Sequence, residues 1–509
     1  MHRRAVVVAC VIAVARGGIA IRLFLLGASQ AGFLNADEAY AGIQTRRIAE
    51  GDRPIILRGI GYTSTIDGYV IAPFVQIIGG AASLFKFVAS IWYAGTAVLL
   101  VLVLRRFTMD LRISRNTVIA AASALWLLPG AMMVLSLRPY MAYGSLPLFS
   151  TLLLWPSLDV TRHRLIMRRA LVTGALAGFL FYLHPMMIAP ALAMLLTPTW
   201  VHRRQVVGWW LPVATAALIV NIPLLVYNAR NYWPTFTPPP GEGSYLSRLW
   251  GITSELWPRS FGLMHLDGAW LLGGFGLVLF IGLLGLAAVG IYHLIAQGPI
   301  GWALAVPATA TWPLFALLSS SAFVSDGRYT TVGYVPLVVV IAVGGHAAVT
   351  AISRRVRATH TMQALLATTM CTAWIAVLGM AWWSDNAGPR VDDPNARLRE
   401  ATTVISDAGI SHVAGNFWHV LPIEFLSDGD IHAAVAGHPW GAYLDWRPNL
   451  PWAVMFPERQ IEVAEQPDDA VAFVFEAGDE QVGVMRRPSA DYQRIAIGPT
   501  IVYLPAWDT

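Results

Sequence analysis

Apolar runs of about 17 to 25 residues, the length that crosses a hydrocarbon core, recur along most of the chain. Clear ones cover residues 5–26, 87–104, 117–135, 207–227, 270–292, 300–318, 332–349 and 362–382. Shorter or broken ones cover 140–155, 170–182 and 186–196, the last two parted by His184-Pro185. The pattern predicts a polytopic helical protein with about eleven spans. Residues 69–85 contain Pro73, Gln76 and Gly79-Gly80 and read as a re-entrant or interfacial helix.

Three polar regions interrupt or follow these runs. In the first, 28–68, Asn35 followed three residues later by Glu38 has the form of a capping box. It predicts an amphipathic helix lying along the membrane surface to Glu50 and stopping at Gly51. The second, 228–268, is rich in proline and aromatics, with Tyr232, Trp233, Pro238, Pro239, Pro240, Trp250 and Trp257. Such side chains line sugar clefts and also anchor loops at headgroup level. The third is the tail, 385–509, set against a membrane unit of 1–384. A helical pattern at 396–407 and β-like runs at 412–415, 452–456, 471–475 and 494–504, the last turning at Gly498-Pro499, predict a small α/β domain.

Composition agrees, with 56% hydrophobic and 13% charged residues and a mean hydropathy of +0.56. Soluble domains carry roughly a quarter charged residues. Charge then orients the chain. Arg3-Arg4, Arg105-Arg106 with Arg112 and Arg115, the arginines of 162–169, Arg203-Arg204, and Arg354-Arg355 with Arg357 fall on one side if 69–85 does not span. By the positive-inside rule the N-terminus is cytoplasmic and the tail lies outside a plasma membrane. The first run has no small-residue cleavage site and reads as an anchor.

The net charge of +5 conceals a tail with 19 acids against eight arginines. The basic balance is therefore a topology signal, and no nucleic-acid partner is expected. Of the 11 acids before residue 385, nine fall on the outer side, so any chemistry faces outward. Cys10 and Cys371 lie in apolar runs and suggest neither a disulfide nor a metal site. The single lysine, Lys86, reads as compositional bias. There is no phosphate-binding Gly-rich loop, no His-Glu-x-x-His and no Cys-x-x-Cys, so no nucleotide, cofactor or catalytic metal is predicted.

The pair Asp37-Glu38 follows the first span directly. Such carboxylates are placed to take a proton from an acceptor at the membrane surface. They equally suit the first turn of a helix, where negative charge meets the dipole. Arg328 and Tyr329, in Ser325-Asp326-Gly327-Arg328-Tyr329, form an outer turn whose guanidinium either neutralises a lipid-linked phosphate or pairs with Asp326 or headgroups. Arg58, Tyr62, Asp67 and Tyr69 crowd the end of the first loop, where they bind sugar or phosphate or order the loop; Arg138 has the same two readings. His184 beside Pro185 is either structural or an imidazole in an outer cavity. Arg22 is read as snorkelling from the first span, and Arg16 has no assigned partner.

The sequence resembles membrane glycosyltransferases of the GT-C fold, in the family of dolichyl-phosphate-mannose protein mannosyltransferases and aminoarabinose transferases, glycosyltransferase family 39. The resemblance covers nearly the whole chain. It rests on Asn35-Ala36-Asp37-Glu38-Ala39-Tyr40, the stretch Gly59 to Tyr69, Arg328-Tyr329 with Tyr334-Val335-Pro336, and Asn416-Phe417-Trp418 to Phe425-Leu426-Ser427. It implies transfer of a sugar from a polyprenyl-phosphate carrier to a lipid, polysaccharide or protein acceptor on the non-cytoplasmic face. Asp37 would be the general base and Glu38 would position the base or the acceptor. Arg328, or else Arg58 or Arg138, would steady the departing phosphate. A single displacement would invert the anomeric centre. The chain departs from the family in lacking a Lys-Pro-Pro-Leu-like run late in the first loop and a β-trefoil insertion.

Two rival classes fit many apolar spans. A transporter or lipid flippase would place polar residues near the midplane, often in internal repeats, whereas here the acids gather outside. A structural assembly protein working through its tail would leave the outer-loop acids without a role.

Overall fold

In the computed structural model, residues 2–79, 81–127, 131–162, 167–236, 243–265, 267–318, 327–355, 379, 388–435, 462, 465–467, 470–478 and 492–506 are described. Each expected span within them is helical over most of its length. The membrane part runs through α1 (His2–Leu25), α2 (Ala36–Ala49), α3 (Ile66–Ile78), α4 (Ala82–Phe107, with a break at Ser90), α5 (Arg115–Leu127), α6 (Leu146–Arg162), α7 (Met167–Leu183), α8 (Ile188–Val201), α9 (Val206–Val220), α10 (Ile222–Arg230), α11 (Gly274–Ile295), α12 (Pro299–Leu318) and α13 (Tyr334–Arg355). Among the described residues α4, α11, α12 and α13 are long and apolar enough to cross a bilayer alone, and α9 with α10 forms a pair bent by 55° at Asn221. The expected span 362–382, apart from residue 379, and the expected strand 452–456 lie outside the described residues.

Two pairs of these helices meet at glycines. A Cβ on Gly174 or Gly178 of α7 would lie 2.1 Å from the Val213 carbonyl oxygen or 2.6 Å from the Ala217 Cα of α9. On α11 and α13, a Cβ on Gly290 would lie 2.0 Å from the Val340 oxygen and one on Gly344 1.8 Å from the Leu286 oxygen. Small residues at such spacings let backbones approach where lipid supplies no hydrophobic drive between helices. Asn221 strengthens the first pair by donating to the Gly178 carbonyl at 2.8 Å.

Arg22 does not snorkel. It is fully buried against α5 and donates to Ser136 Oγ, the Gly18 carbonyl and the Trp126 carbonyl, each at 3.1 Å, with its guanidinium 3.9 Å from the Trp126 ring. Partners inside the protein meet its hydrogen-bonding demand, so no route to the interface is needed.

The tail adds α14 (Ala396–Asp407), α15 (Phe417–Leu426) and five strands, β1 (His412–Gly415), β2 (His432–Val435), β3 (Val471–Glu476), β4 (Tyr492–Ile497) and β5 (Thr500–Pro505). The sheet order is β2-β1-β3-β5-β4, with β1 parallel to both neighbours and β3, β5 and β4 antiparallel in turn. The β4–β5 hairpin turns through Gly498, whose φ of +62° suits glycine.

One apolar core joins the tail to the first polar region: Leu34, Tyr40 and Ile43 pack with Val420, Phe425 and Val474. The chain after α1 is also stitched to the start of the tail. Ser29 N–H donates to the Pro389 carbonyl at 2.8 Å, and Leu34 N–H to Asn395 Oδ1 at 2.8 Å. The amphipathic surface helix expected at α2 is therefore a buried one, held between α3 and α15.

Candidate active site

The site is built on the first turn of α2. Asn35, in extended conformation, accepts from the Glu38 N–H at 3.0 Å and so caps the helix. Its side-chain amide donates to the Tyr140 hydroxyl at 2.8 Å, tying the cap to the segment before α6. The cap fixes where the next two side chains point. Asp37, about a quarter exposed, lies with Oδ2 3.6 Å from Arg328 Nη1. The Arg328 guanidinium stands 5.2 Å from the centre of the Tyr140 ring. Asp326, the partner considered for Arg328, lies outside the described residues.

Glu38 has different partners. It is fully buried and forms an ion pair with Lys86 of α4, which is also fully buried. Its second oxygen lies 3.7 Å from Arg138 Nε, and Arg138 donates through Nη1 to the Tyr140 hydroxyl at 2.6 Å. The capping box is thus half made: Asn35 caps the helix, while the Glu38 carboxylate is spent on two cations. Lys86 was missed as a site residue because one lysine among 35 basic residues reads as composition. The signal that finds it is an ammonium at the head of an apolar run, which demands an internal partner.

Aromatic rings line the route from Arg328 to His184. Tyr143 lies 6.3 Å from Tyr140, 6.4 Å from Tyr329 and 5.4 Å from His184, ring centre to ring centre, and Tyr62 stands 5.3 Å from His184 edge-on. His184 Nδ1 accepts from the Met186 N–H at 3.3 Å, so the ring both caps the short Pro185–Met187 turn and carries its proton on Nε2. Burial, aided by the Arg328 charge, pulls its pKa down to about 3, and the imidazole is neutral. The structural and site readings of His184 hold together.

Asp67 is buried beside this group and accepts from the Ser145 N–H at 3.3 Å. Burial pushes its carboxyl up to about 7 despite the hydrogen bonds that favour ionisation. It lines a small cavity with Thr45, Phe85, Trp92, Arg138 and Met141. Arg58 belongs to another ion-pair group: it lies 3.6 Å from Asp52, which also faces Arg47 at 3.4 Å, and its carbonyl accepts from the Tyr40 hydroxyl. The structure thus gathers Asp37, Glu38, Arg138, Arg328, Tyr329, Tyr62 and His184 around Tyr140 and Tyr143, and puts Asp67 next to them. Among the described residues, the one group of three or more histidine, cysteine or carboxylate side chains close enough to share an ion is in the tail and does not include Asp37.

This arrangement sits in a mainly helical protein with several helices long and apolar enough to cross a bilayer. The whole chain is similar to ArnT from Cupriavidus metallidurans, solved bound to undecaprenyl phosphate, with a TM-score of 0.60 and 12% identity, over 97% of this chain and 98% of that one. It is also similar to the oligosaccharyltransferase of Archaeoglobus fulgidus, solved in complex with zinc and sulfate, with a TM-score of 0.50 and 12% identity, over 97% of this chain and 72% of that one. At this identity the likeness shows the fold. No protein-family model matches the chain, and no curated protein matches it.

Proposed function

We propose that the protein is an integral-membrane glycosyltransferase that moves a sugar from a polyprenyl-phosphate carrier to an acceptor hydroxyl at the outer face of the plasma membrane, with inversion. The observation that carries this reading is the pairing of Asp37 with Arg328 at 3.6 Å, at a capped helix start beside an aromatic wall. A base and a cation side by side suit an acceptor that loses a proton while a phosphate leaves. The fold shared with a structure bound to undecaprenyl phosphate supports the choice of carrier.

In this mechanism Asp37 takes the acceptor proton as the hydroxyl oxygen bonds to the anomeric carbon. The bond from that carbon to the phosphate oxygen breaks, and its electron pair stays on the carrier phosphate. Arg328 neutralises the charge that develops there. Tyr62, Tyr329 and His184 offer ring faces and an Nε2–H to sugar or carrier, and Asp67 a neutral or charged carboxyl near pH 7. Glu38 takes no proton from substrate; it anchors α2 to α4 through Lys86 and holds Arg138 near the site. Arg58 serves the loop through Asp52.

The test is transfer of a labelled sugar from a polyprenyl phosphate in reconstituted membranes. Asp37→Asn is expected to lower the rate about 100-fold or more with normal expression, because an amide cannot accept the proton. Transfer at the wild-type rate would remove Asp37 as the base. By the positive-inside rule the arginine clusters favour a cytoplasmic N-terminus with residues 385–509 outside. Cysteines introduced at Ser29 and Ser406 are therefore expected to react with an impermeant maleimide in intact cells, and protection of both until lysis would reverse the orientation.

A further inference from the structure

In the tail, and independent of the glycosyl-transfer reading, two histidines and a glutamate converge. His412 opens β1 and His432 opens β2, and the two are register partners in parallel strands. Directly paired residues project from the same face of a sheet. Their rings stand 5.6 Å apart and perpendicular. Glu462, distant in sequence from both, brings Oε1 to 2.6 Å from His432 Nδ1 and 3.4 Å from His412 Nε2. One ligand atom from each of the three residues lies within 4.8 Å of the other two.

We propose that His412, His432 and Glu462 form a binding site for a first-row divalent cation of the zinc type. Two imidazoles and a carboxylate are the donor set of three-ligand zinc sites that leave a fourth position open. A zinc ion with ligands at about 2.0–2.1 Å sets tetrahedral neighbours roughly 3.3 Å apart. The His412–Glu462 separation of 3.4 Å already has that value. The His432–Glu462 separation of 2.6 Å is a hydrogen-bond distance, so the ion would replace a proton there and open the pair by roughly 0.7 Å.

The support around the donors has the right sense. Ser411 Oγ lies 3.1 Å from His412 Nδ1, so the hydroxyl can accept the ring proton there and leave the Nε2 lone pair facing Glu462. The three side chains are between 15% and 35% exposed, which leaves the open position to water. The ion would close a link between residues 50 apart and another between residues 30 apart, tying Glu462 and the edge strand β2 to β1. The donors must be deprotonated to bind it.

The experiment uses the full-length protein in detergent, stripped with chelator, incubated with zinc sulfate and desalted. One zinc per chain by elemental analysis is expected, with a higher melting temperature than the stripped protein. Cobalt in place of zinc is expected to give the visible bands of a low-coordinate site. Glu462→Gln keeps hydrogen-bonding capacity but loses the anionic ligand, and it is expected to lose stoichiometric zinc while folding normally in the stripped state. Ser411→Ala is expected to weaken binding by about 10-fold or more. Asp37→Asn is expected to retain the zinc. No retained metal in the wild-type protein, retention in both Glu462→Gln and His432→Gln, or loss in Asp37→Asn would each overturn the proposal.

Discussion

At the scale of single residues, the two acids of Asp37-Glu38 are adjacent in sequence and opposite in situation. Asp37 is part exposed beside Arg328, and Glu38 is sealed with Lys86 at 0% exposure for both side chains. Removing one partner of a buried ion pair strands the other charge and costs about 3–5 kcal/mol, whereas replacing both with apolar or neutral groups is often nearly neutral. Glu38→Gln and Lys86→Met are each expected to lower the melting temperature strongly, and the double variant less than their sum; thermal melts in a double-mutant cycle check this. Strict additivity would mean that the two do not act as a pair. The acidic pair itself was legible because an Asn-x-x-Glu cap after a long apolar run is a local pattern. The division of labour between the two acids was not, since it depends on Lys86, 48 residues away along the chain.

At the scale of elements, most helices could be read because a span must satisfy its backbone internally and present apolar side chains over its whole length. The departures come from local breaks and short pieces. The span expected from residue 87 starts at Ala82, which places Lys86 inside a helix. The expected 207–227 span divides at Asn221, the residue before Ile222-Pro223. In the tail, β2 escaped notice because His-Ala-Ala-Val is four residues long and weak in β propensity, and α15 because Pro422 interrupts its pattern. How helices meet follows from glycine. At α11–α13 a side chain on Gly344 would strike the Leu286 carbonyl, a backbone atom with little freedom to move. Gly344→Leu is expected to destabilise by about 1–3 kcal/mol or to part the two helices, and a melt in detergent reads either. An unchanged melting temperature would mean that the close approach contributes little.

At the scale of the whole molecule, the tail is continuous with the site. Phe425 of α15 is fully buried, with its ring 5.3 Å from the ring of Phe85 on α4 and against Gly42 of α2, where an added Cβ would lie 2.3 Å from it. Phe85 precedes Lys86, and Gly42 lies one helical turn beyond Glu38. The phenylalanine therefore wedges the two helices whose ion pair sets the direction of the α2 start. The same junction has a polar contact, Arg46 with Asp428 at 2.8 Å, but the Asp428 side chain is 59% exposed. Exposed pairs contribute at most about 1 kcal/mol, while Phe-to-Ala truncation in a core costs about 3–5 kcal/mol. Magnitude thus assigns the coupling to the ring. Asp428→Ala is expected to leave sugar transfer near wild type. Phe425→Ala is expected to lower kcat severalfold, measured well below its own melting temperature, although Phe425 belongs to the tail and the proposed base, Asp37, to α2. Equal kcat in wild type and Phe425→Ala would mean that the tail holds itself to the membrane part without positioning Asp37.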